Sequence, residues 1–162
     1  MTTGILSAMA QEQAGLITRL QDVRVERHAG REFQIGRCQD RDVVLALSRI
    51  GKGAAATTAA ALIERFGVSR IVFTGVTGGL HPWVRVGDTA IGTEFVQHDM
   101  DASPIFARYE VPLYGRSRFV ADAALSACLA QAAQQVLQDA ALLDDATRER
   151  FGLVAVTRMH RG

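Results

Sequence analysis

The chain is short of cysteine, of net charge and of long apolar runs, and each shortage narrows what it does. Its two cysteines, Cys38 and Cys128, stand far apart and match no metal or redox spacing. That leaves them as reduced core or surface residues, as expected of a cytoplasmic protein. The formal net charge is +1 and no acidic or basic block stands out, so no electrostatic feature favours a nucleic-acid or membrane-surface partner. No window reaches about 18 uninterrupted apolar residues, the length that a membrane span needs. The opening "MTTGILSAMAQEQ" has no basic region ahead of its short apolar run and does not read as a signal peptide. Repeats, low-complexity tracts and linkers are also missing. What remains is an ordinary globular balance, 48% hydrophobic and 22% charged, over 162 residues. That length suffices for one domain with a real core.

Helix and strand signals alternate, which predicts an α/β layered fold. "TGILSA" (3–8) is a short apolar run, read as a buried first strand. "QEQAGLITRLQ" follows with Ala14, Ile17 and Leu20 at helical spacing. "REFQIGRC" and "RDVVLALS", separated by polar "QDRD", read as an antiparallel hairpin. Residues 52–66 read as an Ala-rich helix that Gly67 caps. "SRIVFTGV" reads as a buried strand, "GGLHPWVRVGD" as a loop and "TAIGTEFVQH" as another strand. Residues 99–118 are irregular. Residues 121–141 read as a long helix, and "FGLVAVTRM" as a strand close to the end of the chain. A strand there has no following helix to cover it, so the domain is expected to be incomplete at its C-terminus.

"RIGKGAAATTAAALIERFG" (49–67) contains Gly51, Gly53 and Ala56, which spell G-x-G-x-x-A, a form of the dinucleotide fingerprint. The fingerprint belongs after the first strand and needs an acid about 20 positions later. Here it follows the second strand of a hairpin, and the next strand ends in "FTGV". Two other readings fit: a tight turn with alanines that let a helix lie close to the sheet, or one wall of a nucleoside pocket. "TGVTGGL" (74–80), after the strand "RIVF", is a second glycine loop with backbone N–H groups open to a ligand. Two such loops at neighbouring strand ends form a crevice at the carboxyl edge of a sheet.

Taken in order, the motifs resemble the purine nucleoside phosphorylase superfamily, in its methylthioadenosine/S-adenosylhomocysteine nucleosidase branch. "GILSAMAQE" resembles the branch's opening strand and A-M-x-x-E motif. "SRIGKGAAA" resembles its S-G-I-G-K-x-x-A turn, and "IVFTGVTGGL" its T-G-x-x-G-G loop. "VRVGD" and "FVQHDMDASP" resemble its V-G-D strand and H-D-x-D loop. The match covers nearly all of residues 3–120. It implies a three-layer αβα sandwich with a central mixed sheet, incomplete at the C-terminus, and one nucleoside phosphorylase-like domain over 1–162. The implied activity is hydrolysis of the bond between N9 and ribose, releasing adenine without a cofactor. Such a reaction passes through an oxocarbenium-like transition state.

By resemblance, Glu12 is the carboxylate that activates water. A carboxylate accepts the proton and its charge favours the cationic sugar. Read without the resemblance, Glu12 is a solvated first-turn glutamate favoured by the helix dipole. Ile50, Val76, Thr77 and Gly78 match positions that line the nucleoside site. Val76 departs from the pattern, because serine is common there and its hydroxyl helps to place the proton-donating acid. Phosphorylases of the superfamily carry an arginine before the glycine loop and a G-D-P-x-R motif after the first strand. Phe73 and "AMAQE" stand there instead, and favour water over phosphate as nucleophile.

"QHDMDASPIFARYEVPL" (97–113) offers His98, Asp99 and Asp101 as metal ligands, but no further ligand cluster joins them, and no metal is expected. The resemblance instead makes this segment a lid. It would reach across a homodimer interface, with Ile105, Phe106 and Pro112 over the 5′-alkylthio group of the neighbour's substrate. Tyr109 and Tyr114 read equally as core or interface aromatics, and Trp83 as a packing residue. His28, His81 and His160 show no evident partner. The family's G-L-I-x-S-G-D stretch, ribose-gripping M-E-x-E/G-A helix and acid-bearing S-D segment do not occur. The chain alone is therefore expected to be inactive or nearly so, and to melt without a sharp transition. The alternatives are a nucleoside phosphorylase and a non-catalytic nucleoside-binding homologue.

Overall fold

The computed structural model describes residues 1–139, 144–152 and 158–162. They form two compact units, Met1–Gly78 and Gly79–Gly162, described separately below.

The first unit is built on one mixed sheet. β1 (Thr3–Ser7) leads into α1 (Ala10–Ile17). Then come β2 (Gln21–His28), β3 (Arg31–Cys38), β4 (Arg41–Leu47), α2 (Lys52–Glu64) and β5 (Arg70–Phe73). The strand order is β2-β3-β4-β1-β5. β1 pairs in parallel with β4 and β5, while β2, β3 and β4 run antiparallel. This is the mixed α/β sheet that the sequence predicts. The hairpin over β3 and β4 closes on Gln39 and Asp40, both with φ near +50 to +60° (47° and 63°), the two-residue turn whose twist matches the strands it joins.

β2 is absent from the sequence reading, which ran from the first helix directly to β3. Its residues, QDVRVERH, are nearly all exposed, because β2 is an edge strand with charged side chains on its surface. The apolar run that marks β3 and β4 has no counterpart there. β4 is different. Val43, Val44, Leu45 and Ala46 are buried in succession, so both faces of the strand are covered. Leu6, Phe33, Val44, Ala46, Leu62 and Val68 form the core cluster, with Phe66 and Phe33 stacked at a ring separation of 4.4 Å. α2 ends at Glu64, two residues short of the expected end, and Gly67, at φ +61°, donates to the Ile63 carbonyl at 3.1 Å beyond it. β5 is a correction to the buried strand of the sequence reading. Ile71 and Val72 are half-buried and Phe73 is 60% exposed, because β5 pairs on one side only among the described residues.

In the second unit, residues 89–98 do not form one strand. They give β6 (Thr89–Ile91) and β7 (Glu94–Val96), which belong to different sheets. β6 pairs in parallel with β9 (Met159–Arg161), and β7 antiparallel with β8 (Arg118–Val120). The chain turns between them at Gly92 and Thr93, where apolar alternation alone reads as continuous. α3 (Ala123–Gln138) begins at Asp122, whose side chain accepts from the Leu125 N–H at 2.7 Å, and packs against β6 and β9. Residues 140 and 141 of the helix expected over 121–141 lie outside the described residues. So do residues 153–157 of the strand expected at "FGLVAVTRM". α4 (Asp145–Phe151) was not anticipated, although Asp144 as N-cap and Gly152 in the left-handed region mark its two ends. No helix among the described residues is long and apolar enough to cross a membrane.

Asp88 anchors β9, and this gives His160 a partner that the sequence did not show. The Asp88 carboxylate accepts from the Arg158 N–H at 2.8 Å and the Arg85 N–H at 3.0 Å, and lies 2.8 Å from His160 Nε2. The His160 contact first, then these N–H bonds, lower its pKa from 3.8 to about 2. A carboxylate depressed on folding contributes stability above its ordinary pKa and loses it as pH falls through the folded value. The window is therefore about pH 4 down to 2. Asp88→Asn is expected to speed amide exchange in β9 at neutral pH, with the difference from wild type closing across that window.

Candidate functional site

The parallel strands β4, β1 and β5 place their carboxyl ends along one edge, where open α/β sheets hold ligands. Hydrogen bonding continues past the strand ends. The Ser48 N–H donates to the Ser7 carbonyl at 2.8 Å, and the Thr74 N–H to the Leu6 carbonyl at 3.0 Å. Three loops thus leave the sheet side by side: 8–9 into α1, 48–51 into α2, and 74–78 after β5.

Glu12 lies in the first turn of α1, half-buried, and reaches back over this edge. Its Oε2 accepts from the Ala8 N–H at 2.9 Å and the Met9 N–H at 2.8 Å. Those two bonds satisfy donors at the start of the helix, as a capping glutamate does. The third bond differs in kind. Oε1 accepts from the Val76 N–H at 2.9 Å, across 64 residues of sequence, and so ties α1 to the loop after β5. The Val76 bond first, then the Met9 bond, hold the carboxyl below its ordinary 4.5; burial pushes it up by less than either, and the Ala8 bond adds a smaller lowering. Glu12 is therefore an ionised, fixed acceptor at neutral pH. A solvated first-turn glutamate accounts for the bonds to Ala8 and Met9 and not for the bond to Val76.

The glycine loop and Glu12 are thus brought together. Val76, 77% exposed, supplies its N–H to the carboxylate, and Thr77 and Gly78 continue the same loop with exposed backbone. The serine that is common at position 76 is not needed for this contact, which is made by the main chain. Ile50 belongs to the loop on the other side of β1, after β4, and is 81% exposed. Its backbone is set by left-handed neighbours, Arg49 at φ +65° and Gly51 at φ +110°, and the Arg49 guanidinium donates to the Gly30 carbonyl at 3.0 Å. Of the fingerprint glycines, Gly51 caps α2, and α2 meets the sheet through Leu62 with Ala59 and Ala61 beside it.

Ile105, Phe106 and Pro112 lie in the second unit. Ile105 is 82% exposed, while Phe106 and Pro112 are half-buried. The Ile105 and Phe106 N–H groups both donate to the Ala102 carbonyl, and a bridge joins Val111 and Arg116. Asp101 is occupied by Ser103, whose N–H donates to it at 3.1 Å and whose hydroxyl also donates to it. Among the described residues no three His, Cys, Asp or Glu side chains are grouped to hold a metal ion. Sequence reasoning did not find the roles of the Ala8 and Met9 N–H groups or of Gly75, which faces the Glu12 carboxylate. Main-chain donors carry no residue signature, and only the A-M-x-x-E spacing hinted at them.

The family model of the phosphorylase superfamily matches residues 2–159. A 5′-methylthioadenosine/S-adenosylhomocysteine nucleosidase of Hydrogenovibrio crunogenus is 33% identical over 161 residues, covering 99% of this chain and 62% of that protein. An aminodeoxyfutalosine nucleosidase of Campylobacter jejuni is 35% identical over 101 residues, covering 62% of this chain and 44% of that protein. The crystal structure of a methylthioadenosine/S-adenosylhomocysteine nucleosidase from Colwellia psychrerythraea, in complex with adenine, superposes with a TM-score of 0.83 at 31% identity. It aligns with 100% of this chain, which spans 60% of that one. The chain thus spans less than two thirds of the length of each of these relatives.

Proposed function

Because the chain belongs to the phosphorylase superfamily, we propose that the whole protein acts as a nucleosidase on 5′-methylthioadenosine or S-adenosylhomocysteine and releases adenine. One observation carries this reading: an ionised Glu12 fixed by three N–H groups at the carboxyl edge of the parallel strands. In the proposed step the N9–ribose bond breaks and a water oxygen bonds the anomeric carbon. The electron pair of the broken bond leaves with adenine, which takes up a proton at N7 from solvent and so departs neutral. Glu12 takes a proton from the water, and its negative charge stabilises the cationic sugar. Ile50, Val76, Thr77 and Gly78 line the nucleoside site in this reading, supported by the two loops that flank Glu12. The continuous family match across Gly78 and Gly79 supports one nucleoside phosphorylase-like domain. The exposed Ile105 supports the apolar lid of a homodimer. The cytoplasm is the proposed compartment.

Water rather than phosphate is the proposed nucleophile, since Phe73 and Glu12 offer no positive charge to a phosphate. Adenine release from methylthioadenosine is therefore expected to be indifferent to added phosphate. An absolute requirement for phosphate would move the assignment to a phosphorylase. Calorimetric binding of methylthioadenosine with no adenine release would move it to a non-catalytic nucleoside binder. Aminodeoxyfutalosine belongs in the same assay, because an aminodeoxyfutalosine nucleosidase is 35% identical over 101 residues of this chain.

A further inference from the structure

Gly75 stands directly over the Glu12 carboxylate. A Cβ on Gly75 would lie 2.8 Å from Oε1, 3.1 Å from Cδ and 3.3 Å from Oε2 of Glu12. The first is closer than carbon and oxygen approach without a bond. Gly78, in the same loop, has nothing within 4 Å of where its Cβ would stand. Gly75 is also not among the residues with positive φ, so its backbone lies outside the left-handed region that favours glycine. What demands glycine at position 75 is the space that the carboxylate occupies.

We propose that Gly75 is a positioning residue, whose missing side chain lets the Gly75–Val76 peptide close on Glu12 and aim its Oε1. The proposal rests on the reading of Glu12 as the water-activating carboxylate. With any side chain at 75, the carboxylate and the loop must separate, and the 2.9 Å bond from the Val76 N–H lengthens or breaks. The Ala8 and Met9 N–H groups still tether Oε2, so Glu12 stays near the edge while Oε1 loses its fixed direction. Basicity changes with it. The Val76 bond contributes most to the lowered pKa, so its loss raises the pKa. The effect is local, because Gly75 is exposed and the three atoms nearest to an added Cβ all belong to Glu12.

The test titrates Glu12 by NMR in the full chain labelled with carboxyl-13C glutamate, with Glu12→Gln assigning the signal. Gly75→Ala is expected to move the Glu12 midpoint upward while the far-UV spectrum stays that of wild type. Val76→Pro, which removes the donor and leaves Gly75 in place, is expected to move it in the same direction. A midpoint unmoved by Gly75→Ala overturns the proposal, even if Val76→Pro shifts it. If Gly75→Ala does not fold, the steric account requires Gly75→Ala with Glu12→Ala to fold, since the clash is then gone. Failure of that double variant also overturns it. In the adenine-release assay, Gly75→Ala is expected to lower kcat about 10²-fold with KM held, as misplacement of a reacting group by about 1 Å does. No further loss is expected when Glu12→Gln is already present. If the chain alone releases no adenine, as expected of it, the titration still decides the role of Gly75.

Discussion

Glu12→Gln is expected to lower adenine release by the whole protein by about 10²–10⁴-fold, the range that a positioned general base contributes. Glutamine keeps the length and shape of the side chain but accepts no proton and carries no charge. It also fits its surroundings poorly. All three partners of Glu12 are N–H donors, on Ala8, Met9 and Val76. A side-chain amide has one oxygen to offer them, so its NH₂ group faces a donor on one side or the other. Glu12→Asp, which keeps the charge on a shorter stem, is expected to recover part of the rate. Rates measured against pH check the same assignment. Because the Glu12 pKa is lowered from 4.5, the carboxylate is lost only as pH falls below that value. The acid limb of adenine release is expected there, and the stabilisation that the carboxylate gives the fold disappears over the same range. An acid limb centred well above pH 5, or a Glu12→Gln variant with wild-type rates, would remove Glu12 from the mechanism.

Phe33→Ala is expected to destabilise the first unit by about 3–5 kcal/mol, as large-to-small changes of buried aromatics do. Phe33 is fully buried, stacks on Phe66 and sits opposite Ala46 in the β3–β4 register. Few atoms nearby can move into the space, since β4 is packed on both faces. The loss reads out as amide exchange in β3 and β4 that is faster by about 10² to 5 × 10³-fold, up to the limit set by global unfolding. Val25→Ala on the exposed edge strand β2 is the control. It is expected to stay within about 0.5 kcal/mol of wild type. Equal effects from the two variants would mean that the core does not lie where the buried cluster of the first unit places it.

The residues carry the fold unevenly. Where burial is two-sided, as in β4, the sequence is a continuous apolar run and is read directly. Where a strand has one neighbour and two wet faces, as in β2, polar side chains hide it. β6 and β7 show a related limit: alternating residues predict extended chain, but not that the chain turns at Gly92 and pairs with two different partners. The short helix α4 had its cap signals in plain sight, yet seven residues give periodicity too little length to register.

For the site, the sequence by itself determined the inventory: Glu12 at the start of a helix, two glycine loops after apolar strands, and no arginine at Phe73 to hold phosphate. It also determined the mixed α/β class, because alternating apolar runs and helical spacings are local properties of the chain. Only the tertiary structure decided that β1 lies between β4 and β5, which sets both loops beside Glu12. It decided that Glu12 is bonded to Val76, that Gly75 is glycine for the sake of the carboxylate, and that His160 meets Asp88. Each of these joins residues more than 60 positions apart, and in each a carboxylate meets a group whose place the local sequence does not mark. Such contacts depend on strand order and register, and those are fixed by burial across the whole sheet rather than by any stretch of sequence.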